Sequence, residues 1–297
     1  MPDPADRRIA VVMTTFDRCA GVLATLPRLL ALPERPEVVV VDDASPDATA
    51  QQVARHFPQV RLVRAPRNLG SAARNLGVAA VDAPYVAFAD DDSWWEPGAL
   101  RRAADVLDAH PNVGLLAAAI DVGVDGGRED PTNALLAASP LVRTDLPGPE
   151  VLGFVACGAV VRREAFLAVG GFAERMHIGG EEELLALDLR SAGWRSVHVA
   201  GVRARHAPDA TGERPGRRRR TTRNRLWTAW LRRPAGSALR VTGETLVHAA
   251  RDPAARAGVV EAVRDLPRVL GERSPVLPDV EADLRRVARA ERSSSTP

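Results

Sequence analysis

The feature that most constrains this chain is a pair of short apolar runs that each stop at a block of aspartates. Residues 38–41 are all valine and lead into Asp42-Asp43, and residues 85–89 lead into Asp90-Asp91-Asp92. A continuous apolar run of this length, bounded by turn-forming residues, suits a strand buried on both faces of a parallel sheet. Ligands of such sheets sit beyond the carboxyl ends of the strands. Both acidic blocks fall there.

Residues 9–13, 60–63 and 113–120 read as further strands, and helical segments alternate with them. Ser45-Pro46-Asp47 supplies an N-cap oxygen, a proline suited to a first helical turn and a carboxylate near the positive helix end, so a helix is expected from there to about Phe57. Asn68-Leu69-Gly70-Ser71 reads as a turn and cap before a helix over 72–81, which Pro84 breaks; residues 97–109 read as another helix. The alternation indicates βαβ units and an α/β fold with a Rossmann-like, doubly wound, mostly parallel sheet. Residues 121–149 lose the pattern and read as loop and acceptor-side insertion. A strand over 154–161, helices over 164–169 and 181–192 and a strand over 196–199 follow. Beyond Pro208 the composition shifts to Gly, Pro and Arg, which divides the chain into a catalytic domain at 1–212 and an Arg-rich, mostly helical extension at 213–297. No internal repeat is found.

With 297 residues, 45% of them hydrophobic, the chain can bury a substantial core, which excludes a disordered or fibrous protein. No stretch approaches the roughly eighteen uninterrupted apolar residues of a membrane helix. Asp3, Asp6, Arg7 and Arg8 stand where a signal peptide would have its apolar core, so a cytoplasmic location is expected. Cys19 and Cys157 are too few and too distant for a disulfide framework or a cysteine metal site.

The formal charge of +2 conceals an uneven distribution: there is no lysine, and ten arginines with no carboxylate lie between Arg214 and Arg240. Trp227, Trp230 and Leu231 in that stretch share one helical face, so docking of the helix onto the catalytic domain is the first reading. Peripheral contact through 214–240 with an anionic membrane at its inner face is the second. No binding module accompanies the charge, and no nucleic-acid partner is expected.

Three adjacent carboxylates repel one another unless something positive sits between them, and a hard divalent cation answers that need for Asp90-Asp91-Asp92. An ion held by one or two carboxylates keeps open positions suited to phosphate oxygens. A solvated acidic loop capping the next helix is the plainer alternative. Asp42-Asp43 suit a ribose hydroxyl or the N–H of a uracil-like base. With Ser45 taken as the helix cap, these two aspartates have no structural task of their own.

Taken in order, the motifs resemble glycosyltransferase family 2, the inverting family with the GT-A fold. The resemblance runs through Val11-Val12-Met13-Thr14-Thr15-Phe16-Asp17-Arg18, Val40-Val41-Asp42-Asp43-Ala44-Ser45, Asn68-Leu69-Gly70 with Arg74-Asn75, Phe88-Ala89-Asp90-Asp91-Asp92, Gly170-Gly171-Phe172 and Gly180-Glu181-Glu182-Glu183-Leu184-Leu185. It implies transfer of a sugar from a UDP-, dTDP- or GDP-linked donor to a hydroxyl of a glycan, lipid-linked or natural-product acceptor. Thr14 and Asp43 would contact the nucleoside, with Phe16, Asp17 and Asp90 in the same donor site. Asp91 would meet the ribose or diphosphate, Arg74 the phosphates, and Asp92 the metal. His206, in a place where some members provide a histidine, would be a second ligand of Mn²⁺ or Mg²⁺. The general base falls at Glu182, although Glu181-Glu182-Glu183 replaces the usual Glu-Asp pair and leaves a one-residue slip to Glu181 or Glu183 open. Of Trp94 and Trp95, one is expected to pack beneath the following helix and the other to meet sugar or acceptor. A dinucleotide oxidoreductase would show Gly-x-Gly-x-x-Gly where Thr14-Thr15-Phe16-Asp17 stands. A sugar-nucleotide nucleotidyltransferase and a non-catalytic sugar- or nucleotide-binding relative are the nearer alternatives.

Overall fold

A computed structural model describes residues 5–125, 127–208 and 216–294. Its strands are β1 (Ile9–Thr15), β2 (Glu37–Asp42), β3 (Arg61–Arg64), β4 (Tyr85–Asp90), β5 (Ser93–Trp95), β6 (Val113–Val122), β7 (Arg128–Glu129), β8 (Ala159–Arg162) and β9 (Arg195–His206). The helices of the first part are α1 (Cys19–Leu30), α2 (Thr49–His56), α3 (Ala73–Ala79), α4 (Ala99–Ala109), α5 (Pro131–Ala137), α6 (Arg163–Ala168) and α7 (Glu181–Ser191). The later part comprises α8 (Arg217–Arg232), α9 (Ala235–Ala249), α10 (Pro253–Arg264), α11 (Leu266–Gly271) and α12 (Pro278–Ser294).

All nine strands join one mixed sheet in the order β3-β2-β1-β4-β8-β6-β9-β5, with β7 paired to β6. β1 to β4 run parallel to one another, while β8 is antiparallel to both of its neighbours. Successive side chains of a strand point to opposite faces, and the two cores divide accordingly. Ile9, Val11 and Met13 face Val22 and Leu26 of α1, Val53 of α2 and Leu100 of α4. Ala10 and Val12 face Val78 of α3, Phe166 of α6 and Leu185 of α7.

Several segments differ from the sequence expectation, and α1 and β5 have no counterpart in it. α2 begins at Thr49, where Asp47 accepts from the Thr49 amide at 3.0 Å, while the Ser45 hydroxyl accepts from the Asp17 amide at 3.0 Å. Ser45 therefore ties the β1 turn to the β2 turn and caps nothing. The strand expected over 154–161 is extended only from Ala159, because Ala156–Gly158 forms a 3₁₀ turn in which a Cβ on Gly158 would meet the Ile120 side chain at 2.8 Å. The short strand expected over 196–199 continues to His206 through an irregularity where Val199 and Arg203 face consecutive residues Ala118 and Ala119. Within the unpatterned stretch at 121–149, Asp130 caps α5 by accepting from the Thr132 amide at 2.8 Å.

The junction placed between 212 and 213 lies outside the described residues. The helices after it pack on the first part: Leu226, Trp227 and Leu231 of α8 share a buried cluster with Met176 and with Leu184 of α7. The aromatic face of the Arg-rich helix is thus spent on docking. Among the described residues, no helix is long and apolar enough to cross a membrane.

Candidate active site

From β1 the chain moves outward through β2 and β3, then returns to lay β4 on the other side of β1. This reversal opens a crevice at the carboxyl ends of β1 and β4, the position where open α/β sheets bind ligands. Thr14 stands in register with Asp90 there, and Thr15 with Asp42 on the opposite side.

The three aspartates are separated by the turn that follows β4. Asp90 forms an ion pair with the buried guanidinium of Arg74, and Thr14 Oγ1 approaches its Oδ1 at 3.5 Å. Asp91 is buried and accepts from Thr15 Oγ1 at 2.9 Å and Arg18 Nε at 3.3 Å. Burial first, then the charges of Asp92 and Asp90, push its carboxyl up to about 6. Asp92 is buried as well; its Oδ1 lies 3.4 Å from His206 Nε2, and its Oδ2 lies 3.8 Å from the Arg18 guanidinium. The hydrogen bond to Asp92 raises the His206 imidazole above its ordinary value, against the effect of burial. β5 pairs antiparallel with the end of β9, Ser93 opposite His206, and the Ala207 amide donates to the Asp92 carbonyl at 2.8 Å. Backbone pairing therefore holds the Asp92 turn against the end of β9.

One carboxylate and one imidazole form a donor set suited to Mn²⁺ and tolerant of Mg²⁺. Among the described residues no group of three His, Cys, Asp or Glu could hold a metal ion. Asp92 and His206 fit an ion that takes its remaining ligands from phosphate and water, not one enclosed by protein.

Asp42 and Asp43 do have structural tasks, contrary to the reading from sequence. Asp42 is fully buried, accepts from the Ser45 amide at 3.3 Å and pairs with Arg64 at 3.2 Å. Asp43 accepts from the amides of Leu69 at 2.7 Å and Gly70 at 2.8 Å, which fixes the loop before α3. Burial raises its pKa and those two amides oppose the rise. Gly70 needs its φ of +63°, and a Cβ there would meet the His177 carbonyl oxygen at 2.5 Å. Phe16 and Asp17 lie exposed in the β1 turn.

Glu181, Glu182 and Glu183 form the first turn of α7, after Gly180 in the left-handed region. Glu181 is buried and accepts from the Gly179 amide, so it anchors the helix start. Burial first, then the charge of Glu181, push Glu182 up to about 8, with Asp90 adding to the rise and Arg74 opposing it. Arg74 is therefore the charge shared by Asp90 on β4 and by Glu181 and Glu182 on α7. Its Nε is buried without a hydrogen-bond partner.

Trp95 is a core residue, which removes it from the acceptor site: it is 1% exposed and its indole N–H donates to the Phe88 carbonyl at 3.1 Å. Trp94 is half-buried on the α1 side, with the Arg28 guanidinium 3.9 Å from its ring centroid.

Sequence reasoning missed Thr15 and Arg18, which hold Asp91; their only signal was membership in the β1 motif. It also missed Asn75, whose amide side chain donates to the Phe172 carbonyl and accepts from the Phe172 amide, both at 2.9 Å. Asn224 of α8 is fully buried and donates to the carbonyls of Met176 and Gly179 at 2.7 Å each. Those bonds fix the segment that delivers Glu181 and Glu182.

The crevice at the β1/β4 switch, the acidic turn facing a histidine and the glutamates of a later helix are set on a sheet of the GT-A fold. The family model described as Glycosyl transferase family 2 matches residues 10–170, and the chain belongs to that family. An N-acetylglucosaminyl-diphospho-decaprenol L-rhamnosyltransferase of Mycobacterium tuberculosis is 28% identical over 242 residues, covering 70% of this chain and 78% of that protein. A pre-mycofactocin glycosyltransferase of the same organism is 31% identical over 220 residues, covering 70% of this chain and 42% of that protein. Among solved structures, a mannosyltransferase from Pyrobaculum calidifontis in complex with GDP-Man and Mn²⁺ superposes with a TM-score of 0.58 at 21% identity, covering 99% of this chain and 90% of that one. Residues 1–349 of Staphylococcus aureus TarS in complex with UDP give 0.56 at 18% identity, covering 96% and 88%.

Proposed function

We propose that this chain is an inverting glycosyltransferase that uses a nucleoside-diphosphate sugar, requires Mn²⁺ or Mg²⁺ and employs Glu182 as general base. The observation that carries the reading is the Asp92–His206 pair, 3.4 Å apart beside the Asp90–Arg74 ion pair at the carboxyl end of β4, with the charge of Arg74 reaching Glu182 at the start of α7. A donor diphosphate at that pair and an acceptor base on α7 would share one crevice. The mannosyltransferase and TarS structures, solved with GDP-Man and Mn²⁺ and with UDP, agree with such a donor.

Thr14 and Asp43 bound the nucleoside end of the crevice, and Phe16 and Asp17 stand at its rim. Asp91, held by Thr15 and Arg18, faces the ribose or diphosphate. Asp92 and His206 would hold the cation, which when bound neutralises charge on the departing diphosphate. Arg74, held by Asp90 in the crevice, would meet a phosphate oxygen of the donor. In the reaction the acceptor oxygen bonds to the anomeric carbon from the face opposite the leaving group. The bond from that carbon to the phosphate oxygen breaks, the nucleoside diphosphate departs and the acceptor proton passes to Glu182. A carboxylate with a raised pKa suits this task, because a base is most effective when its pKa lies near the working pH.

Incubation with UDP-, dTDP- and GDP-sugars, Mn²⁺ and a panel of acceptor alcohols tests the reading, with the product anomer assigned by proton NMR. Inversion at the anomeric carbon is expected. Retention, or transfer undiminished by chelation, would overturn it.

A further inference from the structure

The segment that delivers Glu181 and Glu182 carries an unfavourable backbone. Of the four residues before α7, His177, Gly179 and Gly180 have φ of +58°, +101° and +96°. Glycine adopts such angles without steric cost, whereas a residue with a Cβ is strained there. His177, with ψ of −85°, lies near the rare three-residue turn centred on about φ +75° and ψ −65°. Glycine would be the easier occupant of all three positions, so the presence of an imidazole at 177 has to be accounted for by its contacts.

Those contacts all reach the loop before α3. His177 Nε2 lies 2.9 Å from Asn68 Oδ1, and the His177 carbonyl accepts from the Ser71 amide at 2.7 Å. The Gly70 amide also donates to Asn68 Oδ1, at 3.1 Å, which marks that atom as the amide oxygen and places the imidazole proton on Nε2. Burial first, then the charges of Arg220 and Arg223, hold the imidazole below its ordinary value and so in this neutral form. Nδ1 is left as a buried acceptor without a hydrogen-bond partner, a second unfavourable feature at the same residue.

The loop that His177 grips is bound from its other side by Asp43, through the Leu69 and Gly70 amides. On the α7 side there is little slack. Asn224 holds the Met176 and Gly179 carbonyls, which flank His177, and the Gly179 amide donates to the Glu181 carboxylate. A continuous series of hydrogen bonds therefore runs from Asp43 through Asn68 and His177 to the first turn of α7.

We infer that His177 is a positioning residue of the transfer reaction: through Asn68 it ties the loop at the nucleoside end of the crevice to the segment that sets Glu182, so that filling of the donor site and placement of the base are coupled. The inference rests on the donor crevice and on Glu182 as proposed above.

Amide hydrogen exchange of the full chain, free and with GDP or UDP and Mn²⁺, tests it alongside turnover of His177→Gly and His177→Gln. Glycine accepts the φ of +58° and keeps the carbonyl that bonds Ser71, but lacks the imidazole. Glutamine places an amide N–H where Nε2 stands. If His177→Gly lowers the melting temperature, His177→Asn, which also tolerates a positive φ, takes its place. In wild type the nucleotide should slow exchange both at 68–71 and at 177–184. In His177→Gly the slowing at 68–71 should persist and that at 177–184 should be lost. Its kcat should fall at least about tenfold while nucleotide affinity changes less than about twofold, and His177→Gln should recover most of both losses. Asn68→Ala breaks the same bond, so added to His177→Gly it should cost kcat little beyond the larger single change. Slowing at 177–184 that survives in His177→Gly, equal losses of kcat and nucleotide affinity, failure of His177→Gln to recover them, or additive effects of the two substitutions overturns the inference. A wild type in which neither nucleotide slows exchange at 68–71 defeats the donor-site reading, whereas slowing confined to 68–71 defeats the coupling alone.

Discussion

Oδ1 of Asp92 lies 3.4 Å from Nε2 of His206, and the two are brought together by the antiparallel pairing of β5 with the end of β9. Replacement of Asp92 by Ala should lower kcat/KM by about 10²–10³-fold at saturating Mn²⁺, since preorganised charge at a departing diphosphate is worth that much. His206→Ala should act chiefly on metal affinity, raising the Mn²⁺ concentration for half-maximal activity by about 10–100-fold with partial recovery at high metal. Mn²⁺ titrations of turnover for both variants check this. An unchanged half-maximal concentration in His206→Ala excludes it as a ligand.

Glu182→Gln removes the proposed base while keeping size and shape. Turnover should fall about 10²–10⁴-fold with donor KM little changed. In wild type only the ionised form accepts a proton, and burial with the neighbouring Glu181 moves that ionisation up to about 8. Accordingly kcat/KM should climb from mildly acidic pH to a plateau above about 8, and that limb should vanish in the residual activity of Glu182→Gln. A pH profile of both proteins decides it.

Asp43→Asn should be costly although it is nearly isosteric. The carboxylate accepts from both the Leu69 and Gly70 amides, whereas an amide side chain would turn a donor toward one of them. A loss of about 1–3 kcal/mol in unfolding free energy is expected from the unsatisfied buried group. Nucleoside diphosphate binding should weaken with it, as urea unfolding and calorimetry on the same preparation can establish.

Asn224→Ala removes the donor to the Gly179 carbonyl and leaves the Met176 carbonyl only its 3.3 Å bond from Arg223, and should also cost about 1–3 kcal/mol. Because those carbonyls belong to the segment leading into α7, kcat should fall by more than donor affinity does. Equal losses in both would mark Asn224 as merely structural.

Much of the fold was legible because its signals are local. The valine run at 38–41 and the run ending at Ala89 carry their burial in composition, and the turns after them carry it in Asp, Ser and Gly. What escaped depends on distant pairing. β9 reaches His206 only because the chain is irregular between Val199 and Arg203, and no periodicity in that stretch announces it. Trp94 and Trp95 look alike in sequence, yet the register of β5 sends one into the core and leaves the other under Arg28. Ser45 was a plausible helix cap by residue type, but its hydroxyl accepts from Asp17, which lies 28 residues earlier. The error concealed that Asp42 and Asp43 tie loops together. Asn224 carries no motif at all; only the docking of α8 shows that it grips the approach to α7.

Crystals grown with UDP or GDP and Mn²⁺, with anomalous differences collected at the manganese edge, test the convergence of these groups most directly. A single strong peak should bridge the diphosphate oxygens and the Asp92 carboxylate, with His206 beside it and the Glu182 carboxylate facing it across the crevice. A bound nucleotide with no peak at Asp92, or a peak seated elsewhere with Glu182 turned away from the diphosphate, would contradict it.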